Sequence, residues 1–166
     1  MSTVTTVTVP LERIEFISDK PFQQVLDEVH RELGHPDFAQ FAQRIAQLND
    51  WDEFTAAVAE EAGRSGLMVF LEVDLGGVVS KDPEATGFRE VRIVAGNPVT
   101  MESMVRTSPA AGAFAPVTLL IFESADGVHL RYDTLTSAVR SELSDEALVH
   151  AQKLDASVTH MLSSAA

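Results

Sequence analysis

Three stretches in the second half of this chain alternate apolar and ionisable residues with a period of two. Over residues 67–75, Val69, Leu71 and Val73 fall on one side, and Phe70, Glu72 and Asp74 on the other. Over residues 88–95, Val91, Ile93 and Ala95 oppose Glu90, Arg92 and Val94. Over residues 128–133, Val128, Leu130 and Tyr132 oppose His129, Arg131 and Asp133. Successive side chains of an extended strand point to opposite faces, so each stretch reads as a strand with one apolar and one charged side. Strands of that kind belong in an antiparallel sheet buried on one face.

The rest of the chain supplies partners for that sheet. Residues 117–123 pair with 128–133 as a hairpin, because Ala125, Asp126 and Gly127 provide a turn. Asn97 caps a helix over residues 98–106 that Ser108–Pro109 ends, and a last helix over 145–162 turns Leu148, Ala151, Leu154, Val158 and Met161 inward. In the first half, residues 4–9 alternate threonine and valine and are predicted to form a strand ending at Pro10; residues 11–17 are a second β-prone stretch. Ser18 or Asp19 then caps a helix with Pro21 in its first turn, whose stripe is Phe22, Val25, Leu26, Val29 and Leu33, with Gly34 as its stop.

A helical hairpin follows, with stripes Phe38, Phe41, Ile45, Leu48 and Trp51, Phe54, Val58, and with Asp50 and Glu53 at capping-box spacing. Residues 67–75 and 88–95 are joined by a loop containing Gly76, Gly77 and Pro83. The expected fold is α+β: a two-layer sandwich whose mostly antiparallel sheet of four to five strands carries helices on one face. Residues 35–62 form a helical-hairpin insert within a single domain spanning residues 1–166.

Composition narrows the partners. The 166 residues are 45% hydrophobic and 22% charged, as in ordinary globular domains. Twelve bases against 25 acids give a net charge of −13, which repels phosphate backbones and anionic headgroups, so neither nucleic acid nor membrane is expected as a partner. The absence of cysteine removes disulfides, thiolate nucleophiles and cysteine-ligated metals. Residues 1–10 lack the basic and apolar blocks of a secretory leader, and the expected location is cytoplasmic.

The stretch 90–133 resembles the family known as domain of unknown function 302. It carries a strand running into Gly96–Asn97–Pro98, a short helix ending at Arg106, Ser108–Pro109–Ala110–Ala111, the approach Phe114–Ala115–Pro116, and the hairpin to Asp133. Upstream, residues 66–74 look like the family's strand ending in an Ile/Val–Asp pair. The resemblance implies a sheet of about four or five mostly antiparallel strands and a homodimer, and it implies no established reaction. Small members pass almost directly from the first helix to the next strand, whereas residues 35–62 intervene here, as in longer members. The cysteines that small members often carry near the Asn–Pro pair and the later proline are absent, so no thiol chemistry transfers.

If the strands align as they alternate, Glu72, Asp74, Glu90, Arg92, His129, Arg131 and Asp133 share one face. Such a face is either the solvated side of the sheet, with acids and arginines as cross-strand pairs, or a ligand-binding face roofed by the insert or by a second subunit. In the second reading His129 transfers protons near neutral pH, Asp74 or Glu72 acts as base or orienter, and Arg92 or Arg131 clamps an anion. Phe38, Phe41, Trp51 and Phe54 would then wall an apolar pocket, with Tyr132 on the adjoining strand. Asn97 caps its helix, or its neighbouring N–H groups receive an anionic group. His30, His35 and Asp37 show no metal-ligand spacing, His150 and His160 lie on different sides of the last helix, and Met101 and Met104 read as core. No nucleophilic-serine, zinc-protease or dinucleotide motif is present, and neither metal nor cofactor is expected.

Two functions follow as expectations. One is a small-molecule-binding protein, extending to a cofactor-free acid–base enzyme of isomerase, cyclase or lyase type acting on a small organic metabolite. The alternative is a non-catalytic homodimeric interaction or structural protein.

Overall fold

The computed structural model describes residues 2–166. Its strands are β1 (Arg13–Ser18), β2 (Met68–Asp74), β3 (Glu90–Gly96), β4 (Val117–Ser124) and β5 (Gly127–Asp133). They form one sheet in the order β1-β5-β4-β3-β2, every neighbouring pair antiparallel. The helices are α1 (Phe22–Glu32), α2 (Phe38–Ile45), α3 (Trp51–Glu61), α4 (Leu75–Val79), α5 (Pro98–Val105), α6 (Leu135–Val139) and α7 (Asp145–Ala165). The α+β layout expected from the alternation is the one observed.

One face of the sheet is buried by α1, α5 and α7. Val91, Ile93 and Ala95 of β3, Leu119 and Ile121 of β4, and Leu130 and Tyr132 of β5 meet Val25 and Val29 of α1, Met104 of α5, and Leu154, Val158 and Leu162 of α7. Burying each such aliphatic side chain contributes roughly 1.5–3 kcal/mol, which makes this cluster the main stabilising element. Side-chain caps start the helices where expected: Asn97 accepts from the N–H groups of Val99 and Thr100, Asp50 from Asp52 and Glu53, and Ser144 from Ala147. The first helix differs. Pro21 itself sits at its N-cap and no side chain caps it, because Ser18 Oγ is turned to the Lys20 N–H and the Ala166 carbonyl.

The helical hairpin α2–α3 has its own small core, in which Phe41, Val58 and Met68 are buried among Ile45, Phe54, Phe70 and Val99. Its two ends are pinned where Gly34 and Gly63 cross. A Cβ on Gly34 would stand 1.8 Å from the Glu61 carbonyl oxygen, and one on Gly63 would stand 2.3 Å from that of Glu32, so only glycine permits the crossing. The Leu67 carbonyl accepts from both Gly34 and Gly63, and Val69 N–H donates back to Gly34. The hairpin is thereby fastened to the start of β2, at one edge of the sheet, with Phe38 and Trp51 left largely exposed rather than buried as their stripes suggest.

Other expectations change for local reasons. Residues 4–9 form no strand; Val4 is 90% exposed, since threonine–valine alternation supplies β propensity but no neighbouring strand to pair with. The loop after β2 contains α4, which Asp74 caps through the Gly77 N–H. Residues 135–139 form α6, to which Asp155 of α7 donates no proton but from which it accepts two backbone N–H bonds, from Leu135 and Thr136, each at 3.0 Å.

The largest change lies in β2. Its register against β3 slips between Val69 and Leu71, so that Phe70 is an extra, bulged residue. Val69 lies opposite Ala95, but beyond the bulge Glu72 lies opposite Ile93 and Asp74 opposite Val91. One inserted residue moves every later side chain to the other face.

Candidate functional site

The sheet face that the helices leave uncovered holds the candidate site. A single row crosses all five strands on it: Glu15, Arg131, Leu120, Arg92 and Val73. A second row carries Ile17, His129, Phe122 and Glu90, and Arg13 pairs with Asp133 beside them. Of the predicted polar face, Glu90, Arg92, His129, Arg131 and Asp133 are therefore brought together. Glu72 and Asp74 are not, because the bulge turns them toward the helix layer. There Glu72 Oε2 lies 2.7 Å from His30 Nε2 of α1, and Asp74 Oδ1 accepts the Gly77 N–H at 2.7 Å.

A trough of about 530 Å³ runs over this face. Arg92, Thr118, Leu120 and Arg131 form its floor, Glu90, Arg13 and Asp133 contribute charge, and Leu11, Leu75, Phe114, Pro116 and Leu135 wall it. The walls thus come from segments at the ends of strands and not from the helical hairpin. A wider depression of about 870 Å³ lies between residues 7–12 and Thr136–Ser141, but one of its sides is the solvated arm that precedes β1.

Charge in the trough is arranged unevenly. Arg13 grips Asp133 bidentately at 2.6 and 2.8 Å, which holds the Asp133 carboxyl below its ordinary range and raises the Arg13 guanidinium. Arg131 donates to Glu15 Oε1 at 2.8 Å and lies over the Phe122 ring, 4.9 Å from its centroid. Arg92 is exposed and has no ion pair or hydrogen-bonding side-chain partner among the described residues. It is the one arginine of the trough whose charge is uncommitted.

His129 stands apart from the trough. It is 8% exposed, stacked on Phe122 at 4.7 Å, with Nε2 2.8 Å from Asp126 Oδ1; that hydrogen bond lowers the Asp126 carboxyl. Its Nδ1 is buried without a hydrogen-bond partner, 3.4 Å from Glu15 Oε1. Tyr132 lies on the other, buried face, where its hydroxyl donates to Asp155 and accepts from the Leu135 N–H; burial pushes its pKa up. Asn97 is engaged as a cap, its Oδ1 accepting from Val99 and Thr100, and its Nδ2 also donates to the Gly66 carbonyl at 2.8 Å. Phe38, Phe41, Trp51 and Phe54 belong to the hairpin's own packing: Phe38 meets Phe70, Trp51 stacks on Phe54, and none lines the trough.

Arg13 and Glu15 escaped the sequence reading although their signal was present: Arg13, Glu15 and Ile17 alternate with Ile14 and Phe16. Phe114 gave no such signal, because its placement depends on where the chain enters β4. Among the described residues no three of histidine, aspartate and glutamate converge as a metal site, and no helix is long and apolar enough to cross a membrane.

Comparison with known proteins bears on the fold. The family model for Domain of unknown function DUF302 matches residues 43–165. The crystal structure of an uncharacterized conserved protein of that description from Bacillus stearothermophilus superposes with a TM-score of 0.63 at 9% identity, covering 91% of this chain and 95% of that one. No curated protein matches.

Proposed function

We propose, from the premise that the chain belongs to the domain of unknown function 302 family and takes from it a fold but no reaction, that the open-face trough binds a small organic anion. The observation that carries this reading is Arg92, an unpaired cation on the floor of a concavity in a chain of net charge −13. Arg131 and Arg13 flank it, each already paired with a carboxylate, so Arg92 is the trough's one cation free to meet a ligand, with Glu90 two residues before it on the same face. Leu120, Phe114 and Pro116 supply apolar surface beside it. That combination suits a carboxylate or phosphate on a small carbon skeleton; polyanions are repelled by the remaining surface.

The reading is one of binding. The acid–base groups that would make it an enzyme stand in three places: His129 packed beside the β4–β5 turn, Glu72 of β2 against His30 of α1, and Asp74 capping α4. Calorimetric titration with a panel of small carboxylates and phosphate esters tests it. At least one should bind, and Arg92→Ala should weaken it about tenfold to a hundredfold, the loss of one charge-assisted contact of roughly 1.5–3 kcal/mol. Binding unchanged by Arg92→Ala would overturn the assignment.

A second reading is favoured by Ile17 and Leu71, both more than half exposed on this same face: a second copy covers it as a homodimer. Light scattering distinguishes the two, because only this reading requires a concentration-dependent doubling of mass.

A further inference from the structure

A smaller, partly open pocket of about 110 Å³ lies beyond Pro116 from the trough, between the sheet's end and α5, lined mainly by Phe70, Met101, Met104, Pro116, Val117 and Leu154. We infer that it is a binding site for a small uncharged apolar molecule, a single aromatic ring or a branched aliphatic group of about six heavy atoms, since dry cavities of roughly this order accept benzene.

Four observations carry the inference. The lining is almost wholly apolar: of its eleven residues only Asn97 and Thr100 carry polar side chains. Asn97 Oδ1 is committed to the Val99 and Thr100 N–H groups and its Nδ2 donates to the Gly66 carbonyl, so the lining offers little hydrogen bonding and favours an apolar ligand.

Next, the backbone holds the void open. A Cβ on Gly96 would come 3.0 Å from Pro116 Cβ and 3.1 Å from Phe70 Cε2, so glycine at this position lets those two walls stand where they do. Phe70 is the bulged residue of β2, and Phe38 of the helical hairpin packs edge-on against it at 5.1 Å. The hairpin therefore buttresses this void, although it contributes nothing to the arginine trough. Finally, Met101 is 38% exposed while Met104 is fully buried. A flexible thioether at the rim can move to admit a ring, and a buried sulfur favours contact with its edge. The volume is too small for a peptide segment, which commits the site to a small molecule.

The probe is benzene, followed through the methyl resonances of 13C-methyl-methionine protein. Met101 and Met104 should shift saturably while Met161, buried on α7 and outside this pocket's lining, stays in place. Thr100→Leu, which extends a half-buried side chain of α5 into the void, should weaken benzene binding at least tenfold; Gly96→Ala, which presses on Phe70 and Pro116, serves if the first variant does not fold. Arg92→Ala should leave benzene binding unchanged, so failure here and failure of the trough reading are distinguishable. No saturable shift up to the solubility of benzene, or shifts indifferent to a folded filling variant, overturns the proposal.

Discussion

Strands β2 and β5 carry the same sequence pattern and end differently. On β5, Val128, Leu130 and Tyr132 face the core while His129, Arg131 and Asp133 face outward, as alternation dictates. On β2 the same alternation inverts after Phe70, so that Leu71 is 54% exposed and Glu72 reaches α1. The difference is one of neighbours. β5 lies between β1 and β4, and a slip of register there would bury charge against α7. β2 is an edge strand, where a bulge costs one side of hydrogen bonding and gives Phe70 a place between Phe38 and Gly96. An edge tolerates what a central strand forbids.

Leu130 and Leu71 put the contrast to its strongest test. Leu130→Ala should cost about 2–5 kcal/mol, as core truncations do. Leu71→Ala should stay within about 0.5 kcal/mol despite occupying an equivalent apolar position in the pattern. Equal costs in urea unfolding would mean that the bulge does not persist in solution. Tyr132→Phe comes next, at about 1–2 kcal/mol, because it strips a buried hydroxyl from the Asp155 carboxylate that also holds Leu135 and Thr136. The same denaturation measurement should show the loss with little change in slope.

The smallest effect concerns Asp133. Its carboxyl is lowered in the fold by Arg13, so the pair's stabilisation is fully present above the unfolded aspartate value of about 3.9 and disappears as pH falls through the lower folded one. The stability difference between the parent and Asp133→Asn should therefore be flat from neutral pH down to about pH 5 and shrink below about pH 4. A difference that grows on acidification would contradict the pairing.

Much of the architecture was legible. Helix periodicity located α1, α2, α3 and α7, and the caps Asp50 and Asn97 marked the true starts of α3 and α5, because these signals act over three or four residues. Half of the site was legible too: Arg92 and Arg131 were assigned to the right face, since β3 and β5 obey their alternation. Glu72, Asp74 and the four hairpin aromatics were grouped with them on the assumption of unbroken register and of a hairpin folded over the sheet. Neither assumption is testable from residues close in sequence.

What the chain's own order of residues determined is local: which segments bend, which extend, and which side of β3, β4 and β5 is apolar. Period and capping are properties of neighbours along the chain. Tertiary structure decided the rest: the bulge at Phe70, the crossing of Gly34 with Gly63 that sends the hairpin to the edge, and the placing of Phe114 and Leu75 as walls of the trough. Those depend on contacts between residues tens of positions apart, whose geometry is set only when the two hydrophobic clusters close together. For that reason the sequence left Arg92 as either one charge of a cross-strand ladder or an anion clamp, and only the tertiary structure set it unpaired on the floor of a concavity.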